Sequence, residues 1–208
     1  MKQRTSQILF KYWNDVRGDR LAPLRLEIEP MRISPILAET FILEQADHHS
    51  FTFRLAGTRL CDQIGSELRG TDFLDLVGED DRETMELAMA DVSQRGAVAV
   101  FEIEMCDASQ RSVHFEAVVL PLLHARDSIS RYLGALSPVD PPYWLGHEPL
   151  HAHALARQEI IWPDGRPHAV VERAGHQAPF LPALAQARVV RFNRRQFRIL
   201  EGGRQDQK

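Results

Sequence analysis

The chain has 208 residues, 44% of them hydrophobic and 26% charged, which is enough to build a full core in one domain with appendages or in two small ones. A formal net charge of -4 excludes a global basic field for nucleic acid. Two cysteines, Cys61 and Cys106, are too few and too far apart for a secreted disulfide framework and fit a reduced, cytoplasmic setting.

From the N-terminus, Ile8, Leu9, Tyr12, Trp13 and Val16 recur at helical spacing, which predicts an amphipathic helix over residues 6–17. Thr5 or Ser6 can cap it and Gly18 can stop it. Lys11, Asn14 and Asp15 break up its apolar residues, so it does not read as a signal peptide. Tyr12, Trp13 and Val16 need cover, either from the chain's own core or from a second copy across a dimer interface. Pro23, Pro30 and Pro35 mark a connector, with one short helical turn near Ile36–Thr40. Residues 41–47 and 51–56 read as a hairpin of two strands turning at His48 and His49. Phe51, Phe53 and Leu55 alternate with Thr52, Arg54 and Ala56.

GTRLCDQIG (57–65) reads as a short helix and SELRGTDFLDLV (66–77) as another. Residues 78–96 are the best helix in the chain: acidic side chains crowd its first turn, where the helix dipole favours them. Met85, Met89 and Val92 share a face there, with Leu87 and Ala88 beside them. Residues 97–107, 112–125 and 130–139 then predict an antiparallel meander, apolar on one face and polar on the other. The longest apolar run, AVVLPLL (117–123), falls far short of the roughly 20 residues that span a bilayer, so no membrane insertion is expected. Beyond Pro138 the texture turns proline- and histidine-rich. IWPDGRPHAVVE reads as a small hairpin, and the last segment has strand-like residues.

Two strands, short glycine-punctuated helices, one longer helix and three strands make an α+β chain. The stretch RLAGTRLCDQIGSELRGTDFLDLV, with FILE before it and EDDRETMELAMADV after it, resembles the PAS_5 family of stand-alone, PAS-like bacterial proteins. Arg54, Gly57, Thr58, Gly65, Glu67, Leu68, Gly70 and Phe73 carry the resemblance, which spans residues 30–137 well and FRILEGG near the C-terminus weakly. It implies a five-stranded antiparallel sheet with helices on one face. The division that follows is an N-terminal helix and connector (1–29), a PAS-like domain (30–139) and a C-terminal extension (140–208). On the residues themselves, Gly57 turns a strand sharply into a helix, and Gly65 and Gly70 sit where helices end. Arg54 points off the apolar face and is expected to pair with a carboxylate such as Glu67, or with a ligand anion.

The candidate chemistry is thin. Cys61 in TRLCDQIG does not match the NCRFLQ motif of flavin-binding LOV domains and lies one helix earlier, so flavin is disfavoured and a buried structural cysteine is expected. The long helix has no histidine to ligate haem, and His114 falls on a strand's polar face, so haem is disfavoured too. His147, His151 and His153 have metal-ligand spacing, but Pro149 would break a helix there, so a solvated linker is preferred and no metal is assigned. Arg188, Arg191, Arg194, Arg195 and Arg198 form a basic cluster that suits a solvated edge first, then an acidic protein or a nucleotide, and specific nucleic-acid binding least. No catalytic residue is assigned.

The expectation is therefore a non-enzymatic, cytoplasmic signalling module that binds a small ligand or a protein partner, and that can form a homodimer. Its ligand pocket would lie between the sheet and the short helices, lined by Phe53, Leu60, Leu68, Phe73, Met89, Phe101, Ile103 and Phe115. The alternative is that these side chains fill the space, leaving a ligand-free interaction or dimerisation scaffold.

Overall fold

Period-two alternation sets the strands. In the computed structural model, which describes residues 1–165 apart from His48 and residues 125–127, β1 (Thr40–Asp47) and β2 (Ser50–Ala56) form the hairpin. β3 (Val98–Cys106), β4 (Ser112–Leu123) and β5 (Ile129–Val139) form the meander. A further strand, β6 (His151–Ile161), pairs antiparallel with β3. The sheet is thus six-stranded, in the order β2-β1-β5-β4-β3-β6, rather than five-stranded. It runs on past residue 139 because the segment after Leu150 pairs with the otherwise open edge of β3 and satisfies its backbone groups.

Among the described residues, three α-helices pack on this sheet: α1 (Arg4–Arg17), α2 (Thr58–Ile64) and α3 (Glu79–Arg95). The segment 66–77 carries only one 3-10 turn, Phe73–Leu76, started by Asp72, whose carboxylate accepts from the backbone N–H of Leu74 (2.9 Å). Neither Thr5 nor Ser6 caps α1. The Thr5 hydroxyl donates to Glu39, and the backbone N–H groups of Lys2 and Gln3 donate to the Glu116 carboxylate at 2.6 and 2.9 Å.

The sheet is covered on both faces. α2, α3 and the Phe73–Leu76 turn close one core with Phe53, Met85, Met89, Phe101, Ile103 and Phe115. α1 and the 3-10 segment Pro30–Glu39 close a second core on the opposite face, with Leu9, Trp13, Val98, Val100, Val118, Leu120 and Leu133. The expected polar face is therefore only half polar. Along β3 that side begins with buried Val98 and Val100 and turns to Glu102 and Glu104 further on. Leu87, expected beside the apolar stripe of α3, is exposed, because at about 100° per residue it points to the opposite side of the helix from the seam of Met85, Ala88, Met89 and Val92.

Candidate functional site

All eight side chains expected to line a pocket come together in one core. Phe53, Leu60, Phe73, Met89, Phe101, Ile103 and Phe115 are fully buried and Leu68 nearly so. Phe73 is the centre, with ring centroids 5.5 Å from Phe41, 5.8 Å from Phe53 and 6.0 Å from Phe101. At these separations aromatic rings are in direct edge or tilted contact. Tyr132 closes the β1–β5 end: its ring meets Phe51, and its hydroxyl donates to Gln45 Oε1 (2.9 Å) and shares a hydrogen bond with Ser93 (2.7 Å). None of the eight residues lines the surface cleft beside His114 or the one beside Met1 and Glu159.

The glycine-punctuated stretch builds the wall of this core. Gly65 (φ 77°) caps α2 in the left-handed conformation that its position requires, and Gly70 (φ 89°) turns the chain back beside β2. Thr58 is exposed at the first position of α2. Arg54 does not pair with Glu67. It pairs with Glu44 across the β1–β2 hairpin, and Arg131 of β5 reaches the same carboxylate at 2.8 Å. Arg54 falls at the register shift of the hairpin, where it points off the core and reaches Glu44 diagonally across the strands, whereas Glu67 is exposed and accepts from the backbone N–H of Arg69 (3.0 Å). Cys61 is half-buried at the edge of the core rather than buried, its thiol 3.9 Å from Glu67 Oε1.

The candidate dimer residues Tyr12, Trp13 and Val16 lie on α1 over the second core. Trp13 is fully buried, its indole N–H donating to the Pro121 carbonyl (2.8 Å), and the Tyr12 hydroxyl accepts from the backbone N–H of Glu29 (2.7 Å). Both rings are buried in the chain's own second core. Val16 is half-buried at the border of the same core.

A polar cluster occupies the uncovered half of the second face. A cleft of about 300 Å³ is lined by Glu102, Ser112, Val113, His114, Val139, Asp140 and Pro142. His114 Nδ1 lies 3.7 Å from Glu102, which also binds Lys2 Nζ (3.1 Å). Nearby, side-chain ligand atoms of Glu104, Cys106 and His153 lie within 4.8 Å of one another. Burial pushes the Cys106 thiol up from its ordinary value, and the carboxylates of Glu104 and Asp107 push the same way. The linker reading of the histidines is thus corrected for His151 and His153, which sit on β6, while His147 lies in the turn after Trp144. The Arg188–Arg198 cluster and the FRILEGG segment lie outside the described residues.

The sequence matches the PAS_5 family, described as a PAS domain, over residues 1–137. The chain belongs to the PAS_5 family. That match takes in α1 and both hairpin strands and ends within β5, so β6 extends the PAS_5 sheet beyond the matched residues. No curated protein matches the chain. Among solved structures, a Rhodobacter sphaeroides LOV protein is 12% identical, with a TM-score of 0.41, over 50% of this chain and 60% of its own length. An RNA-binding light-oxygen-voltage receptor is 15% identical, with a TM-score of 0.41, over 60% of this chain and 37% of its own. The PAS domain of an HTR-like protein from Haloarcula marismortui is 18% identical, with a TM-score of 0.35, over 55% of this chain and 95% of its own. The PAS_5 chain thus spans less than two thirds of the first of these. Among the described residues, no helix is long and apolar enough to cross a membrane.

Proposed function

We propose that this PAS_5 protein is a non-enzymatic, cytoplasmic signalling module that acts by binding a protein partner. Membership of a PAS family supports the sensory and signalling class, and the fold alone does not choose the input. The observation that carries the partner reading is the filled interior: Phe41, Phe53, Phe73 and Phe101 contact one another where a ligand pocket would have to open. The same filling, with Cys61 outside it, argues against flavin or haem in the core. A small ligand is the second reading, and the surface cleft beside His114 favours it, since about 300 Å³ is the lower end of ligand-site volumes.

Native mass spectrometry and absorbance of the purified full chain test the choice. The partner reading expects the bare polypeptide mass, no flavin or haem spectrum, and one partner protein recovered reproducibly by crosslinking in the native host. A retained small molecule would support the second reading instead. A chromophore, or repeated failure to recover any partner, would overturn the proposal.

A further inference from the structure

We propose that Glu104, Cys106 and His153 form a binding site for one thiophilic divalent cation of the zinc type. Glu104 and Cys106 are two residues apart on β3, so the pleat puts both on the same face of the sheet. His153 comes from β6, where the register shifts: Ala152 pairs with Met105 and Ala154 with Glu104, leaving His153 as the extra residue between them. Such a bulge re-aims a side chain that regular pairing would hold elsewhere. It is braced from the other side, because the backbone N–H of Leu155 donates to Asp81 Oδ2 of α3 (2.8 Å).

The result is one carboxylate, one thiol and one imidazole whose ligand atoms lie within 4.8 Å of one another. A tetrahedral zinc site with bonds of about 2.0–2.3 Å separates its ligand atoms by roughly 3.3–3.8 Å, so side-chain adjustments of about 1 Å would close the set. Sulfur with imidazole selects zinc and its borderline neighbours over magnesium or calcium. The surrounding groups leave these three available. Asp107 is engaged by Arg111 and by the backbone N–H groups of Ser109 and Arg111. Glu102 is shared between Lys2 and His114. The side chains of Glu104 and His153 have no hydrogen-bond or ion-pair partner among the described residues. Cys106 is buried and His153 exposed, so the set has an anchored sulfur and an approach from solvent. Three protein ligands leave a fourth position for water or another donor, the pattern of an open rather than a closed zinc site.

The test is a titration of the reduced, chelator-treated full chain with Co²⁺ as a coloured substitute for Zn²⁺. One equivalent should bind, with a thiolate-to-cobalt charge-transfer band and visible bands of tetrahedral intensity that Zn²⁺ abolishes. Cys106→Ser should remove the charge-transfer band, and Cys61→Ser should leave it unchanged. His153→Ala and Glu104→Gln should each weaken binding by at least about tenfold. His153 is exposed, so that variant keeps the test valid even if replacing the buried Cys106 impairs folding. No charge-transfer band in the wild type, a band lost with Cys61→Ser and kept with Cys106→Ser, or undiminished affinity in His153→Ala would each overturn the site.

Discussion

A methyl group at Gly57 would lie 2.2 Å from the Ala38 carbonyl oxygen and 2.4 Å from its carbon. Backbone cannot swing aside as a flexible side chain can, so Gly57→Ala is expected to destabilise the fold by about 1–3 kcal/mol, read by urea denaturation. The sequence marks this glycine as a turn, but its φ is -67°, which any residue adopts. What it needs is room for the connector, a tertiary fact that no local pattern carries. Tyr132 makes a second prediction. Burial pushes its hydroxyl up to about 12, against an ordinary value of 10.0. The folded state therefore holds this proton more tightly than the unfolded one. Its contribution is fully present below pH 10 and is lost as pH rises through about 12. The loss is on the order of 2–3 kcal/mol. Tyr132→Phe should be weaker than wild type by about 1 kcal/mol at neutral pH, through its missing hydrogen bonds, and should lack this alkaline slope. Equal slopes for the two proteins would refute the assignment.

α1 shows what periodicity can and cannot read. The stripe of Leu9, Tyr12 and Trp13 is visible as a helix face, but the same stripe suits an internal core or a dimer. The indole hydrogen bond to Pro121 and the full burial of Trp13 place that ring in the chain's own core. Trp13→Ala should therefore destabilise the chain by about 3–5 kcal/mol while leaving the molar mass by light scattering unchanged. A drop from dimer to monomer would revive the interface. Glu39, which no motif flags, ties three elements together. It accepts from Thr5 of α1 (2.5 Å), Arg59 of α2 (2.7 Å) and Ser137 of β5 (2.9 Å). Burial alone would raise its carboxyl, yet these hydrogen bonds outweigh it and hold the carboxyl below its ordinary value. With the folded value depressed, the contribution is present above the unfolded value of 4.5 and fades as pH falls through the folded one. Glu39→Gln should lose stability at neutral pH and show a shallower decline on acidification. The ion pair was legible only as a surplus of carboxylates, because its partners lie 34, 20 and 98 residues away.

At the scale of the whole molecule, the sheet has a core on each face and an edge strand that the family match does not reach. The strands of the meander and the long helix are readable because each has an unbroken local period. β6 is harder to read, since its alternation is broken twice by register shifts and its outward residues are mostly polar. Yet β3 depends on it. Val98 to Cys106 are paired with β6 along their length, and Ile160 and Leu155 pack against the same core as Phe101 and Ile103. Ending the chain after Val139 would remove these contacts and open a long, largely apolar edge on β3. Such an edge is a template for pairing with another chain. The truncated protein is thus expected to unfold at lower denaturant and to self-associate, seen as concentration-dependent mass by light scattering. Full-length chains carrying Glu159→Ala should do neither, because among the described residues the half-exposed Glu159 carboxylate makes ion pairs only with the Met1 amino group (3.6 Å) and Arg157 (3.5 Å). If the truncated chain stays monodisperse and as stable as the full one, β6 is an accessory strand, and residues 1–139 suffice to close the fold. If it associates, the PAS-like sheet of this protein is complete only with a strand that its family resemblance does not announce.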